Sequence, residues 1–413
     1  MKTVKTTISI FLTVLLLMAL ALPMTSAVNT TYAVGDVIQY GTYPQSRVAE
    51  TAALKSAANN ATWKSYDYYT GTYNPTEEEL GWGYEFGSSN ELNGKMQAGD
   101  FMKFADFFLG EKKYRAIIFT DYRPFSTGLQ SRATNSYQDE NGFVPNTTYY
   151  FQYEPIDWIV LDPTDGLIMS KHILDAQAYQ NTAYRTSGTN VYQSATSSDI
   201  AINYAKSSIR KWLNWDFYQT AFTNAQQSNM KSSEINYTYN DYDNNGSYIN
   251  IAGTESDKIF LLTFEDVLND TYGFSNDMFE RAPQRMGRGT SYAQCQGLYC
   301  FETDSINYLQ LNDNSNWWLR NHMGYPYCSS SVPYWGGADA SYYFKAITRT
   351  CDGVRPACKL KSLSSDTAAS ETLFSADTSL ELPQVEEQQL NFFQRVVQWF
   401  RNLFTKLFSI FHR

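Results

Sequence analysis

The side chains that could carry out catalysis are few and scattered along this chain. A nucleophile needs a base beside it, usually a histidine, and the three histidines are His172, His322 and His412. None of them accompanies a Gly-x-Ser-x-Gly elbow, so we interpret them as structural or surface residues. Neighbouring acids such as Glu265 and Asp266 have the residue types of a glycoside hydrolase. The chain has 42 acidic residues, however, and solvated faces explain them. The sequence therefore predicts no catalytic residue.

The five cysteines all lie between residues 295 and 358. Two pairs are close enough along the chain for short-loop disulfides in an exported protein: Cys295 with Cys300, and Cys351 with Cys358. Five cysteines leave at least one unpaired, and an alternative with five buried thiols fits the sequence equally well.

No metal or cofactor site is predicted. There is no Cys-x-x-Cys pair of the kind that binds zinc. Asp241–Gly246 has the oxygen side chains and the glycine that begin a calcium loop, but Ala252 stands where that loop needs its bidentate glutamate. We interpret the segment as a polar turn between two strands.

A stretch rich in glycine, serine and tyrosine, residues 322–345, is the best candidate for ligand binding. Such a composition combines rigid aromatic anchors with adaptable polar contacts. A sugar ring could stack on Trp335 or on a tyrosine, while a simple tyrosine-rich β surface is the alternative. The predicted ligand-binding residues are Tyr325, Tyr327, Tyr334, Trp335, Asp339, Tyr342 and Tyr343.

The overall composition narrows the class of protein. The 413 residues include 32 basic and 42 acidic ones, a formal charge of −10, and 16% are aromatic. The 43% apolar share is too high for a disordered chain. The acidic balance argues against a nucleic-acid partner, which needs clustered lysine and arginine.

The first 27 residues have the pattern of a secretory signal peptide. Lys2 and Lys5 precede an apolar core over residues 8–22, and small residues lead up to a cut after Ala27. We expect cleavage rather than an uncleaved anchor, and a protein that is secreted or held at the cell surface.

The other end of the chain differs from the body. Residues 362–389 read as a polar linker, and residues 390–413 place apolar residues at three- and four-residue spacing with four basic residues and no acid. This pattern predicts an amphipathic helix that lies on an anionic membrane or envelope surface, or alternatively contacts a protein. The residues expected to make the contact are Phe393, Arg395, Trp399, Phe400, Arg401, Phe404, Lys406 and Phe408.

Between these ends, strand-sized aromatic runs alternate with turns and a few helical patterns. We predict one α+β domain over residues 34–361, with a mainly antiparallel sheet. The predicted elements are a hairpin of 101–109 and 113–120, strands over 149–161, 167–170 and 258–263, a helix from Ser198 or Asp199 to Asn214, and a helical turn over 265–268.

Eight short motifs in this region occur in the order seen in a known family. The chain resembles a domain-of-unknown-function family common in secreted proteins of Gram-positive gut bacteria. The motifs are Gly35–Ser46 (GDVIQYGTYPQS), Lys113–Ala116, Tyr153–Trp158, Ile173–Gln177, Ile209–Asn214, Asp257–Leu262, Trp317–Arg320 and Gly353–Ala357. We expect the last two motifs to lie on core strands, with Arg320 and Arg355 in buried hydrogen-bond networks.

The resemblance implies a fold similar to C-type lectin-like modules and to the formylglycine-generating, sulfatase-modifying enzymes, and it supplies no catalytic residue. This chain departs from the usual pattern at Asn321, where serine is common, and at Cys358, where leucine is usual. The expected function is non-catalytic recognition of a glycan or an extracellular protein. The alternative is an enzyme: a carboxylate hydrolase, or a copper oxidase that uses Cys295 and Cys300.

Overall fold

The computed structural model describes residues 31–66, 102–123, 137–180, 204–242, 248–304, 309–321, 328–338, 344–347 and 349–363. All of them belong to one compact unit, residues 1–366. The predicted signal peptide, nearly all of the linker and the predicted amphipathic helix lie outside the described residues. None of the described helices is long and apolar enough to cross a membrane.

The described part of the chain is mainly antiparallel β-sheet with a few short helices, which confirms the predicted α+β class in its coarse form. The strands are β1 Val37–Val48, β2 Lys64–Ser65, β3 Met102–Leu109, β4 Lys112–Phe119, β5 Tyr149–Asp162, β6 Leu167–Ser170, β7 Asp175–Ala176, β8 Ser233–Tyr242, β9 Tyr248–Asp257, β10 Ile259–Phe260, β11 Gly287–Arg288, β12 Phe301–Asp304, β13 Leu309–Ser315, β14 Trp317–Trp318, β15 Cys328–Val332, β16 Phe344–Ala346, β17 Gly353–Val354 and β18 Ala357–Lys359.

The helices in the described part of the chain are short, and polar side chains cap several of them. The α-helices are α1 Ala52–Asn59, α2 Ser208–Trp212, α3 Tyr218–Ala221, α4 Asn224–Asn229 and α5 Ser291–Cys295, with a π-helical turn at Leu213–Phe217 and 3-10 turns at Tyr204–Lys206, Asp266–Leu268 and Asp270–Tyr272.

The largest sheet has eight strands in the order β10-β18-β6-β5-β4-β3-β2, and β1 pairs with β5 as a branch. Two predicted connections are confirmed here. The β3–β4 hairpin turns at Gly110, and the β5–β6 connection turns at Gly166. Both glycines have a left-handed φ, of 61° and 70°, which residues with a Cβ rarely adopt.

Two other predicted elements need correction. The helix expected from Ser198 or Asp199 is not continuous, because Ser207 has an extended backbone and its side chain accepts a hydrogen bond from the Arg210 amide, so α2 starts afresh there. The strand expected over residues 258–263 is only the two-residue β10. Its next carbonyls, at Leu261 and Leu262, accept hydrogen bonds from Arg320 instead of pairing with another strand.

The N-terminal strands and the later part of the chain share one hydrophobic core. Its centre holds Trp158, Trp317 and Trp318, which are fully buried, and each indole N–H donates to a backbone carbonyl. A buried hydrogen bond of 2.7 Å from Tyr43 Oη in β1 to Asp175 Oδ2 in β7 also joins the two parts. Residues 31–164 therefore form one structural unit with the later part of the chain.

A two-stranded ribbon, β8–β9, stands apart from the larger sheets. Its strands pair in continuous register from Ser233 opposite Asp257 to Tyr242 opposite Tyr248. The first two residues of the Asp241–Gly246 segment are the end of β8, where Asp241 pairs with Ile249 and Tyr242 with Tyr248. Residues 243–247 lie outside the described residues, so the predicted polar turn stays a prediction.

Candidate functional site

Arg210 anchors the base of the β8–β9 ribbon to α2. Its guanidinium lies 2.7 Å from Asp257 Oδ1 and 3.0 Å from Glu255 Oε2. The side chains of Arg210 and Asp257 are almost completely buried. An ion pair enclosed in this way holds β9 in a fixed place, since separating the charges would leave one of them buried without its partner.

Arg320 fixes the other side of the ribbon. Its Nε donates to the Asn236 carbonyl in β8 at 2.7 Å, and Nη1 donates to the Leu261 carbonyl. The predicted buried hydrogen-bond network of this arginine is therefore confirmed. Arg355, for which the same role is predicted, donates to the carbonyls of Ser170 and Lys171.

A cleft of about 480 Å³ lies where the ribbon meets the segment after β14. We call it the Asn321 cleft. Three separate parts of the chain form it: the ribbon, the loop after β10, and the two residues Arg320 and Asn321. Its lining residues are Asn236, Tyr237, Thr238, Ala252, Gly253, Thr254, Thr263, Glu265, Arg320 and Asn321.

The ribbon contributes hydroxyl and amide groups and one aromatic ring to the cleft. Asn236 and Thr254 face each other across the strands, and Thr254 Oγ1 donates to Asn236 Oδ1 at 2.9 Å. The Tyr237 ring lies against Gly253 so closely that a Cβ at that position would overlap it. Gly253 thus leaves room for the ring beside the cleft.

Asn321 is the most unusual residue of the cleft. It is only 6% exposed, its Nδ2 donates to Glu265 Oε2 at 3.1 Å, and its carbonyl accepts from the Ser330 amide at 3.1 Å. Its Oδ1 is buried and accepts no hydrogen bond from any described residue. A buried acceptor without a donor is unfavourable, so this atom marks a place where a ligand group or a water molecule would be stabilised.

The two neighbouring acids have different surroundings. Asp266 Oδ2 accepts from the Thr263 amide at 2.8 Å and lies 3.8 Å from Arg320 Nη2. Glu265 is exposed and lines the cleft. Among the described residues that line the cleft, Glu265 is therefore the one with a carboxylate. These residues do not form the pair of facing carboxylates that hydrolysis of a glycoside requires.

Two of the predicted ligand-binding residues, Tyr334 and Trp335, lie in a turn after β15 and are not among the residues that line the cleft. Asn321 contacts the middle of β15 at Ser330, whereas Tyr334 comes two residues after the end of that strand. The Trp335 ring is half-buried, and the Arg281 guanidinium lies 5.7 Å from its centroid.

The other predicted ligand-binding residues, Tyr325, Tyr327, Asp339, Tyr342 and Tyr343, lie outside the described residues, as do His322 and all contact residues of the predicted amphipathic helix. In sequence, residues 322–327 connect Asn321 to β15.

The disulfide candidates Cys295, Cys300, Cys351 and Cys358, and also Cys328, carry thiol groups in the structure, and all of them except Cys300 are buried. Oxidation to the two predicted bridges stays a prediction. Burial raises the pKa of Cys328 to about 12 and, with a smaller contribution from Asp352, that of Cys351 to about 12. These two thiols are therefore poor nucleophiles at neutral pH.

A second group of ionisable side chains is buried between β4 and α5, and its hydrogen bonds explain it as a structural network. Arg115 makes two hydrogen bonds of 2.7 Å to Asp106 and one of 2.9 Å to Tyr292 Oη, which is 2.7 Å from Tyr66 Oη. Among the described residues, no three histidine, cysteine or acidic side chains converge as metal ligands.

Sequence reasoning missed most of the cleft. The ribbon residues Asn236, Tyr237 and Thr254 carry no motif, and only the folded chain brings them to Glu265 and Asn321. One signal did exist, because the sequence departs from the family pattern at Asn321.

The chain has few similarities to known proteins. No curated protein and no solved structure matches it. Residues 165–362 match the model of a family described as domain of unknown function (DUF6273). The Asn321 cleft lies inside the matched segment, and the strands β1–β5, which complete the largest sheet, precede it. A DUF6273 domain therefore spans residues 165–362 of this chain.

Proposed function

We propose that this protein is a secreted or envelope-associated recognition module that binds a carbohydrate without chemical change, at the Asn321 cleft. The observation that carries the proposal is Asn321, a nearly buried residue that lines an open cleft and whose Oδ1 accepts no hydrogen bond from any described residue. Sites for small ligands combine a few well-placed polar groups with an aromatic or apolar wall. The amides, hydroxyls and tyrosine of this cleft provide both.

Binding fits the cleft better than hydrolysis does. Of the two adjacent acids, Asp266 is engaged by the Thr263 amide and approaches Arg320, so Glu265 is the acid that lines the cleft among the residues that the structure describes. A single carboxylate can accept hydrogen bonds from sugar hydroxyls, but a glycoside hydrolase generally needs two.

The same proposal includes the fold type, the source and the export of the protein. The eight ordered motifs support a C-type lectin-like fold and a Gram-positive source, and residues 1–27 support export. The aromatic residues of 322–345 would extend the contact with the ligand, with Tyr325 and Tyr327 following Asn321 in sequence. Trp335 would form a separate contact, since it is not among the residues that line the cleft.

The C-terminal segment 390–413 would attach the protein to an anionic membrane or envelope surface. Deleting it should abolish co-sedimentation with vesicles that contain anionic lipid, while vesicles of neutral lipid should bind neither form. Unchanged sedimentation of the deletion variant would overturn this part of the proposal and favour a protein contact.

A glycan array tests the central proposal. The mature chain, residues 28–413, should bind a defined set of glycans, and Asn321→Ala should weaken binding about ten-fold, because the side chain contributes both the free acceptor and the support of Glu265. The matched control is Asn224→Ala, an exposed asparagine in the first turn of α4, which should bind like the wild type.

Thermal unfolding would establish that both variants are folded. A folded wild type that binds no glycan, or an Asn321→Ala variant that binds as tightly as Asn224→Ala, would contradict the proposal.

A further inference from the structure

The charged side chains that line the Asn321 cleft differ in whether their charge is matched by a neighbour. Arg320 is the cation among its described lining residues, but its guanidinium is directed to the carbonyls of Asn236 and Leu261 and lies 3.8 Å from Asp266. The positive charge of Arg320 is therefore already matched by Asp266, and the Glu265 carboxylate remains as the net charge that faces the ligand.

Asn321 holds this carboxylate in a defined position. Its Nδ2 donates to Glu265 Oε2 at 3.1 Å, and no lysine or arginine of the described residues forms an ion pair with Glu265. Asn321 Oδ1 itself is buried and accepts no hydrogen bond from any described residue. The cleft thus offers one positioned and negatively charged acceptor, the Glu265 carboxylate, to a donor-rich group.

An ammonium group complements this arrangement, because it carries one positive charge and three donors and has no acceptor. Its attraction to a carboxylate is stronger than that of a hydroxyl. The protein body adds to the effect, since residues 28–389 contain 26 basic and 42 acidic residues, and such an excess concentrates cationic ligands at the surface.

We infer that the Asn321 cleft selects amino sugars with a free ammonium group over their N-acetylated and acidic counterparts, with Glu265 as the specificity-determining residue and Asn321 as its positioning partner. This inference rests on the proposed carbohydrate-binding function and narrows its ligand class. Acidic sugars are disfavoured, because they would bring a second negative charge next to Glu265.

Isothermal titration calorimetry with three tetrasaccharides tests the inference: one of glucosamine, one of N-acetylglucosamine and one of galacturonate. Near pH 6, where such amines are largely protonated, the wild type should bind the glucosamine oligomer about five-fold more tightly than the N-acetylated one, as expected for a partly exposed charge pair. Raising the salt from about 0.05 M to about 0.5 M should remove most of that preference.

Glu265→Gln should bind both neutral and cationic oligomers with similar affinity, because it keeps the acceptor oxygen and loses the charge. The matched control is Glu111→Gln, an exposed glutamate in the β3–β4 turn, which should keep the preference of the wild type.

The outcomes separate the inference from the proposal beneath it. Binding of the oligomers without a preference for glucosamine, or a preference that survives in Glu265→Gln, would overturn the inference and leave carbohydrate binding intact. Binding of none of the oligomers, together with an empty glycan array, would overturn both.

Discussion

Replacing Arg210 by methionine should destabilise the protein strongly, because this residue ties the β8–β9 ribbon to α2. Arg210 Nη2 lies 2.7 Å from Asp257 Oδ1, and the two side chains are only 3% and 2% exposed. Methionine keeps much of the length and none of the charge, so the Asp257 carboxylate would stay buried without its ion-pair partner. Such a loss typically lowers the free energy of unfolding by about 3–5 kcal/mol.

Two further variants distinguish the effect of the lost ion pair on stability from the effect of lost packing. Asp257→Asn should cost less, about 1–3 kcal/mol, because Arg210 keeps its contact of 3.0 Å with Glu255. The double variant Arg210→Met/Asp257→Leu removes both buried charges and should be more stable than Arg210→Met alone.

Urea denaturation at pH 7, followed by tryptophan fluorescence, gives these free energies. The matched control is Lys55→Met, which breaks an ion pair whose side chains are 62% and 46% exposed and should change the free energy of unfolding by no more than about 0.5–1 kcal/mol. The reasoning would be refuted by an Arg210→Met variant as stable as the control, or by a double variant at least as unstable as Arg210→Met.

Three further predictions concern the fold. Burial raises the pKa of Asp175 to about 6 from an ordinary value of about 3.9, which means that the folded protein favours the protonated carboxyl group. The stabilisation of the folded protein by this group is therefore fully present below pH ~4 and is lost as the pH rises through about 6. Asp175→Asn should remove this pH dependence of the free energy of unfolding, which is worth about 3 kcal/mol. If thermal unfolding of the wild type and of the variant from pH 4 to pH 7 shows the same change of melting temperature with pH, the reasoning is wrong. Gly166→Ala should lower the free energy of unfolding by about 2–4 kcal/mol, because its φ is 70° and a Cβ would overlap the Leu360 carbonyl. Gly110 has open space around it, so Gly110→Ala should lower the free energy of unfolding by only about 1 kcal/mol. Equal losses for the two variants in urea titrations would contradict this. A fragment of residues 165–362 alone should lack cooperative unfolding by circular dichroism, since it omits five strands of the largest sheet, and a cooperative transition like that of the whole chain would disprove this.

Local features of the sequence predicted local structure well. The turns at Gly110 and Gly166 follow from a glycine between two strand-like runs, because a left-handed φ is what such turns require. The buried networks of Arg320 and Arg355 were predictable from arginines within aromatic, strand-like motifs. The helix toward Asn214 was placed less well, because several serines precede it and only the folded chain shows that Ser207 is the cap.

The candidate site was predicted only in part, for a topological reason. The Asn321 cleft joins the ribbon, the loop after β10 and the segment after β14, which are separated along the chain by tens of residues. No periodicity or spacing reports such long-range proximity. Conversely, Asn321 and Trp335 are close in sequence, but β15 lies between them along the chain, and Trp335 is not among the residues that line the cleft.

The most direct test of the proposed function is a crystal structure of the protein with the oligosaccharide that it binds most tightly. We predict a sugar ring in the Asn321 cleft, with a hydroxyl or ammonium group within about 3 Å of Asn321 Oδ1 and another polar group at Glu265. A sugar bound at the Trp335 turn while the Asn321 cleft holds none would contradict the account.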